Sequence, residues 1–454
     1  MDVIRQAIRH LNPGQVPVFT VDQPLFSIAK QIQWFWPSEY GENEFVILLG
    51  GLHIEMACFS TLGNLLNGSG WTHALTQANI ATSGTADSFL AAAHVTRTRH
   101  AHQIAACALS ILLHKAYENY TYEESVPDSF DEWCSKRVEI SPQFQYWHMI
   151  MRFELLVLVF VRSLRDSNFP LYVAVLQKIA PWFFALDHTH YSRWLPIHIC
   201  DMMTLQDQHP DIAVQFSQGG FVVHKTKRPF SSIAIDQAHV QNNKIVKGDG
   251  GAVGLLQNPK ALLRWTVAGP EISRATEEFE ANCLSDSGKT NLKHHELTLS
   301  AQSTFANEVR HLVQVIEDMG NPFMEESADL LVLDSQDIAD SAIVQTVRTI
   351  EKIGQDQYDK YMSERVIERT ASVYDTISRN KMPLFSQPPL TDSSNPKQSL
   401  KFLKSDCALF LRLYIASQTC DGDLDNFFQH ENHTYPPSLS QHGKLRFSTK
   451  SDIV

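Results

Sequence analysis

The chain has 454 residues, 43% hydrophobic and 10% aromatic, too apolar for a disordered protein and long enough to bury large cores. Its formal net charge of −12 excludes a generic polyanion binder, so any nucleic-acid contact needs a local basic patch. The seven cysteines are scattered with no CxxC pair, which argues against a zinc ribbon and fits free thiols in a reducing compartment.

The N-terminal segment MDVIRQAIRHLNPGQ lacks the apolar stretch of a signal peptide. Two short strands are expected next. Val16–Val21 is β-branched and aromatic and ends at Asp22; Phe45–Gly50 is a continuous apolar run closed by Gly50-Gly51. Between them Ser27–Trp36 reads as a helix stopped by Pro37, and Leu52–Leu66 reads as a helix ended by Asn67-Gly68. Apolar spacing then predicts helices over Thr85–Tyr120, Phe144–Asp166, Leu171–Leu186, Trp194–Leu205 and Pro210–Phe216. Within them Leu155, Leu156, Val159 and Phe160 are the candidate core. The apolar run Leu155–Val161, bounded by Arg152 and Arg162, is too short to cross a bilayer, and a soluble, intracellular protein is expected.

Strand character returns at Phe221–Thr226. Helices recur at Pro259–Val267, Glu271–Cys283, Thr304–Met319 and Ala342–Ile377, with a strand candidate at Leu330–Leu333. Asn380–Ser399 is Pro/Ser-rich and reads as a linker, followed by a helix over Leu400–Ser417 and a His-, Pro- and Ser-rich tail. The expected fold is α/β and predominantly helical. Val16–Val21, Phe45–Gly50 and Phe221–Thr226 should lie side by side in a small sheet interrupted by a large helical insertion. The corresponding divisions are 1–68 and 210–275 for the core, 69–209 for the insertion, 276–379 for a helical domain and 380–454 for the linker, helix and tail.

Polar residues concentrate in Phe230–Gly254, which carries Asp236, His239, Asn242, Asn243, Lys244 and Lys247 before Gly248-Asp249-Gly250-Gly251. Asp236, His239 and Asn243 fall on one helical face, which suits a polar surface or hydrogen-bond network, or metal binding by Asp236 and His239. The glycine run follows a helix, which favours a turn over a phosphate cradle. Asp22, in Asp-Gln-Pro, either caps a helix starting at Pro24 or ligates a metal. His53 and Glu55 lie just past a strand end, where α/β proteins place ligands, and also suit capping beside the helix dipole. The best nucleic-acid candidates are Arg97, Arg99, His100 and His102, with Lys225, Lys227 and Arg228; the alternative for such runs is a solvated face. Asp187-His188-Thr189-His190 and His294-His295-Glu296 lack the i, i+4 histidine pair of a zincin, and there is no P-loop or Gly-x-Ser-x-Gly elbow.

The stretches GGLHIEM (Gly50–Met56), SGWTHAL, ATSGTADSFLAAAHVTRTR, LVLVFVRSLR, PWFFALDHTHYSRWLPIH and IDQAHVQNN resemble signatures of a large uncharacterised animal protein family that looks transposon-derived. The resemblance covers most of the chain. More distantly it is similar to transposases with an RNase H-like core and a DDE carboxylate triad. It therefore implies a small RNase H-like sheet and a centre in which three acids hold two divalent metals, Mg²⁺ or Mn²⁺. By that resemblance Asp22 stands at the first acid. Gly50-Gly51-Leu52-His53 stands where relatives carry Gly-Asp-Phe-His, and His239-Val240 where they carry His-Glu. Two of the three acids are thus missing, and so is the hairpin expected after the first strand. The implied function is a degenerate, non-catalytic binding or scaffold protein without a cofactor, nuclear by the same resemblance, with DNA contact through local basic patches. The alternative is a metal-dependent nuclease or transposase in which Asp22, Glu55 and Asp236 hold Mg²⁺ or Mn²⁺, supported by His53, His239, Asn242 and Asn243. The tail resembles the family's lead-in to a further domain, so the chain also reads as a piece of a longer protein.

Overall fold

The computed structural model describes residues 1–247 apart from 125, 227 and 228, part of 258–278, residues 298–385 apart from 326, and residues 440, 441, 444 and 445. Met1–Pro389 form one compact unit and Leu390–Val454 a second. In the second, Ser440–Gln441 pairs antiparallel with Lys444–Leu445.

After helix α1 (Asp2–Leu11), strands β1 (Val18–Val21) and β2 (Val46–Leu49) pair in parallel, Val18 against Val46 through Val21 against Leu49. β2 is buried at every position, which is why its run is uniformly apolar. Helices α2 (Gln23–Phe35) and α3 (Pro37–Tyr40) make the crossover that parallel strands require. α4 (Gly51–Leu66) leaves β2 without a loop and buries Ile54, Cys58, Phe59 and Leu62, so it runs through the core.

The helical region follows as α5 (Trp71–Gln77), α6 (Ser83–Leu90), α7 (Val95–Glu123), α8 (Phe130–Ile140), α9 (Pro142–Arg165), α10 (Phe169–Ala185), α11 (Thr189–Met203), α12 (Leu205–Gln208) and α13 (Pro210–Ser217). The helix expected over Thr85–Tyr120 is two helices. Ala92 and His94 adopt left-handed backbone (φ 54 and 55) and turn the chain between α6 and α7. In α9, Ser141 accepts a hydrogen bond from Phe144 N–H and Pro142 occupies the first turn. Its core face is Phe153, Val157, Phe160, Val161 and Leu164. Leu155 is exposed and Leu156 and Val159 are half-buried, so of the four expected core residues only Phe160 is fully enclosed. The other three line a groove beside Trp182, whose ring stacks on Phe153 with centroids 4.4 Å apart.

Strands β3 (Val222–His224) and β4 (Ser232–Ala234) form a separate antiparallel pair, with Val222 opposite Ala234. The segment Phe221–Thr226 therefore does not extend the β1–β2 sheet as expected: its three paired residues are satisfied by β4. α14 (Ile235–Lys247) begins directly after β4. α15 (Leu299–Met319) and α16 (Ser341–Tyr361) complete the unit. α16 passes into a π-helical turn at Met362–Ile367 and stops there, short of the expected Ile377. It packs closely on α10 because Gly354 faces Pro181: a Cβ there would lie 2.5 Å from the Pro181 carbonyl oxygen. The strand expected over Leu330–Leu333 is a single bridge, Leu331 to Ile338. The helices expected over Pro259–Val267 and Glu271–Cys283 lie largely outside the described residues, and that over Leu400–Ser417 wholly so. Among the described residues the protein is mostly helical with small sheets, and no helix is long and apolar enough to cross a membrane.

Candidate functional site

Because β1 and β2 run in parallel, Asp22 and Gly50 leave the sheet at the same end. α4 starts there, and the first N–H groups of any helix need acceptors from outside it. Gly50 brings no side chain to cap them. The acceptor is Asp236, 184 residues further along the chain, in the first turn of α14. Its carboxylate is 6% exposed. Oδ1 accepts from Leu52 N–H at 3.0 Å, Oδ2 from His53 N–H at 3.2 Å, and His53 Nδ1–H donates to Oδ2 at 2.9 Å. The positive end of the α4 dipole favours the same charge. The two glycines make the approach possible. A Cβ on Gly50 would collide with Asp236 Oδ2, and one on Gly51 would lie 3.0 Å from the Ala234 Cβ.

His53 keeps 35% of its side chain exposed. Its hydrogen bond to Asp236 raises its pKa above 6.5, burial pulls the other way, and the charges of Asp236 and Asp22 add to the rise. Tyr191 Oη–H donates to the His53 carbonyl at 3.0 Å, fixing the turn from the α11 side. The result is an oriented His–Asp pair at the strand ends, in which the imidazole holds its proton more firmly than a free histidine does.

The remaining expected site residues are divided. Asp22 Oδ1 accepts from Leu25 N–H at 3.1 Å, capping α2, with Pro24 in the first turn. Glu55 does not join Asp22 and Asp236. Both its oxygens are held by Arg99, Nε to Oε1 at 2.7 Å and Nη2 to Oε2 at 2.8 Å, and both residues are buried. The reason is helical phase: Glu55 is four residues after Gly51 and shares its inward face. Among the described residues, no group of three or more His, Cys, Asp or Glu side chains is placed to hold a metal ion. Arg99, expected at a nucleic-acid surface, is therefore inside the protein. Arg97 and Lys225 are exposed; Lys227 and Arg228 lie outside the described residues. His239, Asn242 and Asn243 are exposed while Asp236 is buried, so the expected shared face is not one site. Gly248–Gly251 and His294–Glu296 also lie outside the described residues. Asp187 accepts from the backbone N–H groups of Asn380 at 2.7 Å and Lys381 at 2.8 Å, a structural role.

Two buried polar clusters were not anticipated, and one of them holds His102, expected at a basic surface patch but buried. Lys30 of α2 is 1% exposed and pairs with Glu42 at 2.7 Å and Asp201 at 3.0 Å. Burial opposes its charge, but the two carboxylates outweigh burial and hold its pKa above 10.5. The one available signal was a lysine on the face of α2 that also carries Phe26, Ala29 and Gln33. His102 of α7 lies between the rings of Phe59 and Trp71, at 4.8 and 4.9 Å, and bonds Glu154 at 2.8 Å. Burial pushes His102 down to about 3 and Glu154 well above 4.5, so the two meet as a neutral acid and a neutral imidazole.

The chain matches the family described as Domain of unknown function (DUF8702) over residues 1–132 and 117–431. No curated protein and no solved structure matches it.

Proposed function

For this chain, which belongs to the DUF8702 family, we propose a non-catalytic binding or scaffold role, on a transposon-derived, RNase H-like core whose DDE-type metal centre has decayed. One observation carries the reading. The polar groups a metal centre at these strand ends would use are consumed by structure. Asp236 caps α4, Glu55 is closed by Arg99, and the space a side chain at Gly51 would need is taken by Ala234. Two-metal catalysis needs several anionic oxygens left over for the cations. Asp22 retains an oxygen not used in its cap, and one carboxylate does not hold two metals. DNA contact, where it exists, falls to the exposed Arg97 and Lys225.

The test is a cleavage assay on duplex DNA, single-stranded DNA and RNA with the full chain in Mg²⁺ or Mn²⁺. No divalent-dependent product is expected. Cleavage that disappears in both Asp22→Ala and Asp236→Ala would overturn the reading in favour of a working nuclease. Fluorescence anisotropy on the same DNA reads the binding role. Affinity should fall with salt and weaken in the Arg97→Ala, Lys225→Ala double variant.

A further inference from the structure

At the other end of β2, before Phe45, a cleft of about 710 Å³ opens between the C-terminal part of α2, the segment following α3, helix α11 and residues 365–373. That size suits a small molecule. Its floor carries Glu42 and Asp201, both held from beneath by the buried Lys30 ammonium. Two carboxylates on one ammonium leave a negative charge here that only the more distant Arg369 offsets. Glu42 Oε1 takes Lys30 and the Trp34 Nε1–H at 3.1 Å, while Glu42 Oε2 accepts nothing among the described residues. Gln33 lines the same cleft. Its amide nitrogen donates to the Phe45 carbonyl at 2.9 Å, and its buried Oε1 has no partner. The floor is thus rich in acceptors and short of donors.

The mouth has the opposite character. Arg365 is fixed there by hydrogen bonds to the carbonyls of Asp375 at 2.8 Å and Thr376 at 3.2 Å, and lies over the Tyr361 ring. Arg369 is exposed and makes no hydrogen bond or close ion pair with any described residue, though its charge reaches Glu42 and, against the pull of burial, helps Lys30 hold that carboxyl below its usual range; its backbone is left-handed (φ 55), a conformation costly for a residue with a Cβ. The lining also offers apolar surface from Trp34, backed by Trp194 with ring centroids 5.9 Å apart, and from Ile197, Val366 and Val373, beside the polar Asn43, Thr204 and Gln208.

We propose that this cleft binds a small zwitterion. A cationic amine would sit on Glu42 and Asp201, an anionic group on Arg369 and Arg365, and an apolar spacer along Trp34 and Val366. The site is separate from the strand-end site and does not depend on how that site is read.

Three probes sharing one alkyl chain test it by calorimetry on the full chain: 6-aminohexanoate, hexylamine and hexanoate. 6-Aminohexanoate should bind saturably, and each singly charged probe about tenfold more weakly or worse. Arg369→Ala removes an exposed guanidinium that makes no hydrogen bond with a described residue, and a thermal melt of the variant checks that the fold is kept. It should shrink the advantage over hexylamine severalfold, with Arg365 retaining part of it, while Glu42→Gln should likewise shrink the advantage over hexanoate, with Asp201 retaining part of it. No saturable binding by 6-aminohexanoate, equal binding of hexylamine and 6-aminohexanoate, or an Arg369→Ala variant that binds all three like wild type would each overturn the proposal.

Discussion

Replacing Asp236 by alanine removes the acceptor of four hydrogen bonds at once, those from Leu52 N–H, His53 N–H, His53 Nδ1–H and Gln237 N–H. Leu52 is 8% exposed, so its N–H cannot turn to water, and a buried donor left without a partner costs about 1–3 kcal/mol. The two His53 groups lie nearer solvent. Their loss resembles that of an ordinary helix cap and a part-exposed ion pair, about 1 kcal/mol together. Relief of the buried carboxylate's desolvation returns a fraction of this, leaving a net loss of about 1–3 kcal/mol. Asp236→Asn keeps an oxygen for Leu52 N–H and should cost about half as much. His53→Ala leaves the cap in place and should cost less than about 1 kcal/mol. Urea unfolding followed by tryptophan fluorescence ranks the three variants, and amide exchange at Leu52 reports the cap directly. If Asp236→Ala costs no more than His53→Ala, or stabilises the protein, the carboxylate is not the cap of α4, and its burial needs another cause.

Gly51→Ala should destabilise by about 1–3 kcal/mol through its 3.0 Å approach to the Ala234 Cβ, and Ala234→Gly in the same chain should recover much of that; two losses that simply add would refute the contact. Burial holds His102 and His198 at about 3 and His148 at about 4, against 6.5 for each when unfolded. Unfolding therefore takes up protons as pH falls below about 6.5, and stability declines with acid down to about pH 3, offset in part by Asp201, which burial raises to about 6 against the pull of Lys30. His53 has the opposite sign: its bond to Asp236 is retained in acid and lost as pH rises through its raised pKa. In His198→Gln one acid penalty is gone, so its deficit relative to wild type should shrink by up to about 1.4 kcal/mol per pH unit below about pH 6.5; parallel profiles would refute the assignment.

The start of the α/β unit was legible because its signals are local. An apolar run ended by Gly50-Gly51 can be little else than a buried strand feeding a helix, and Asp-Gln-Pro announces the cap of α2. What failed was non-local. The partner of Glu55 lies 44 residues on, and no spacing rule links it to Arg99. The run at Leu155–Val161 is apolar all round, so periodicity could not say which side meets the core. The break between α6 and α7 occurs at Ala92 and His94, residues that carry no turn signal. Phe221–Thr226 has strand chemistry, but which strand it joins is decided by Ser232–Ala234, too short a segment to be read alone.

The hydrogen bonds from Asp236 to the start of α4 span 184 residues of sequence. A contact of that separation carries a large loop-closure entropy and is favourable only once the intervening helices have collapsed. It is expected among the last interactions to form, which a φ-value near zero for Asp236→Ala would check. Its energy then bears on the rate of unfolding far more than on the rate of folding. Asp236 thus sets how long a folded molecule survives rather than how quickly it arises. Resistance to proteases that cleave faster than the chain recloses is where its loss would first be felt.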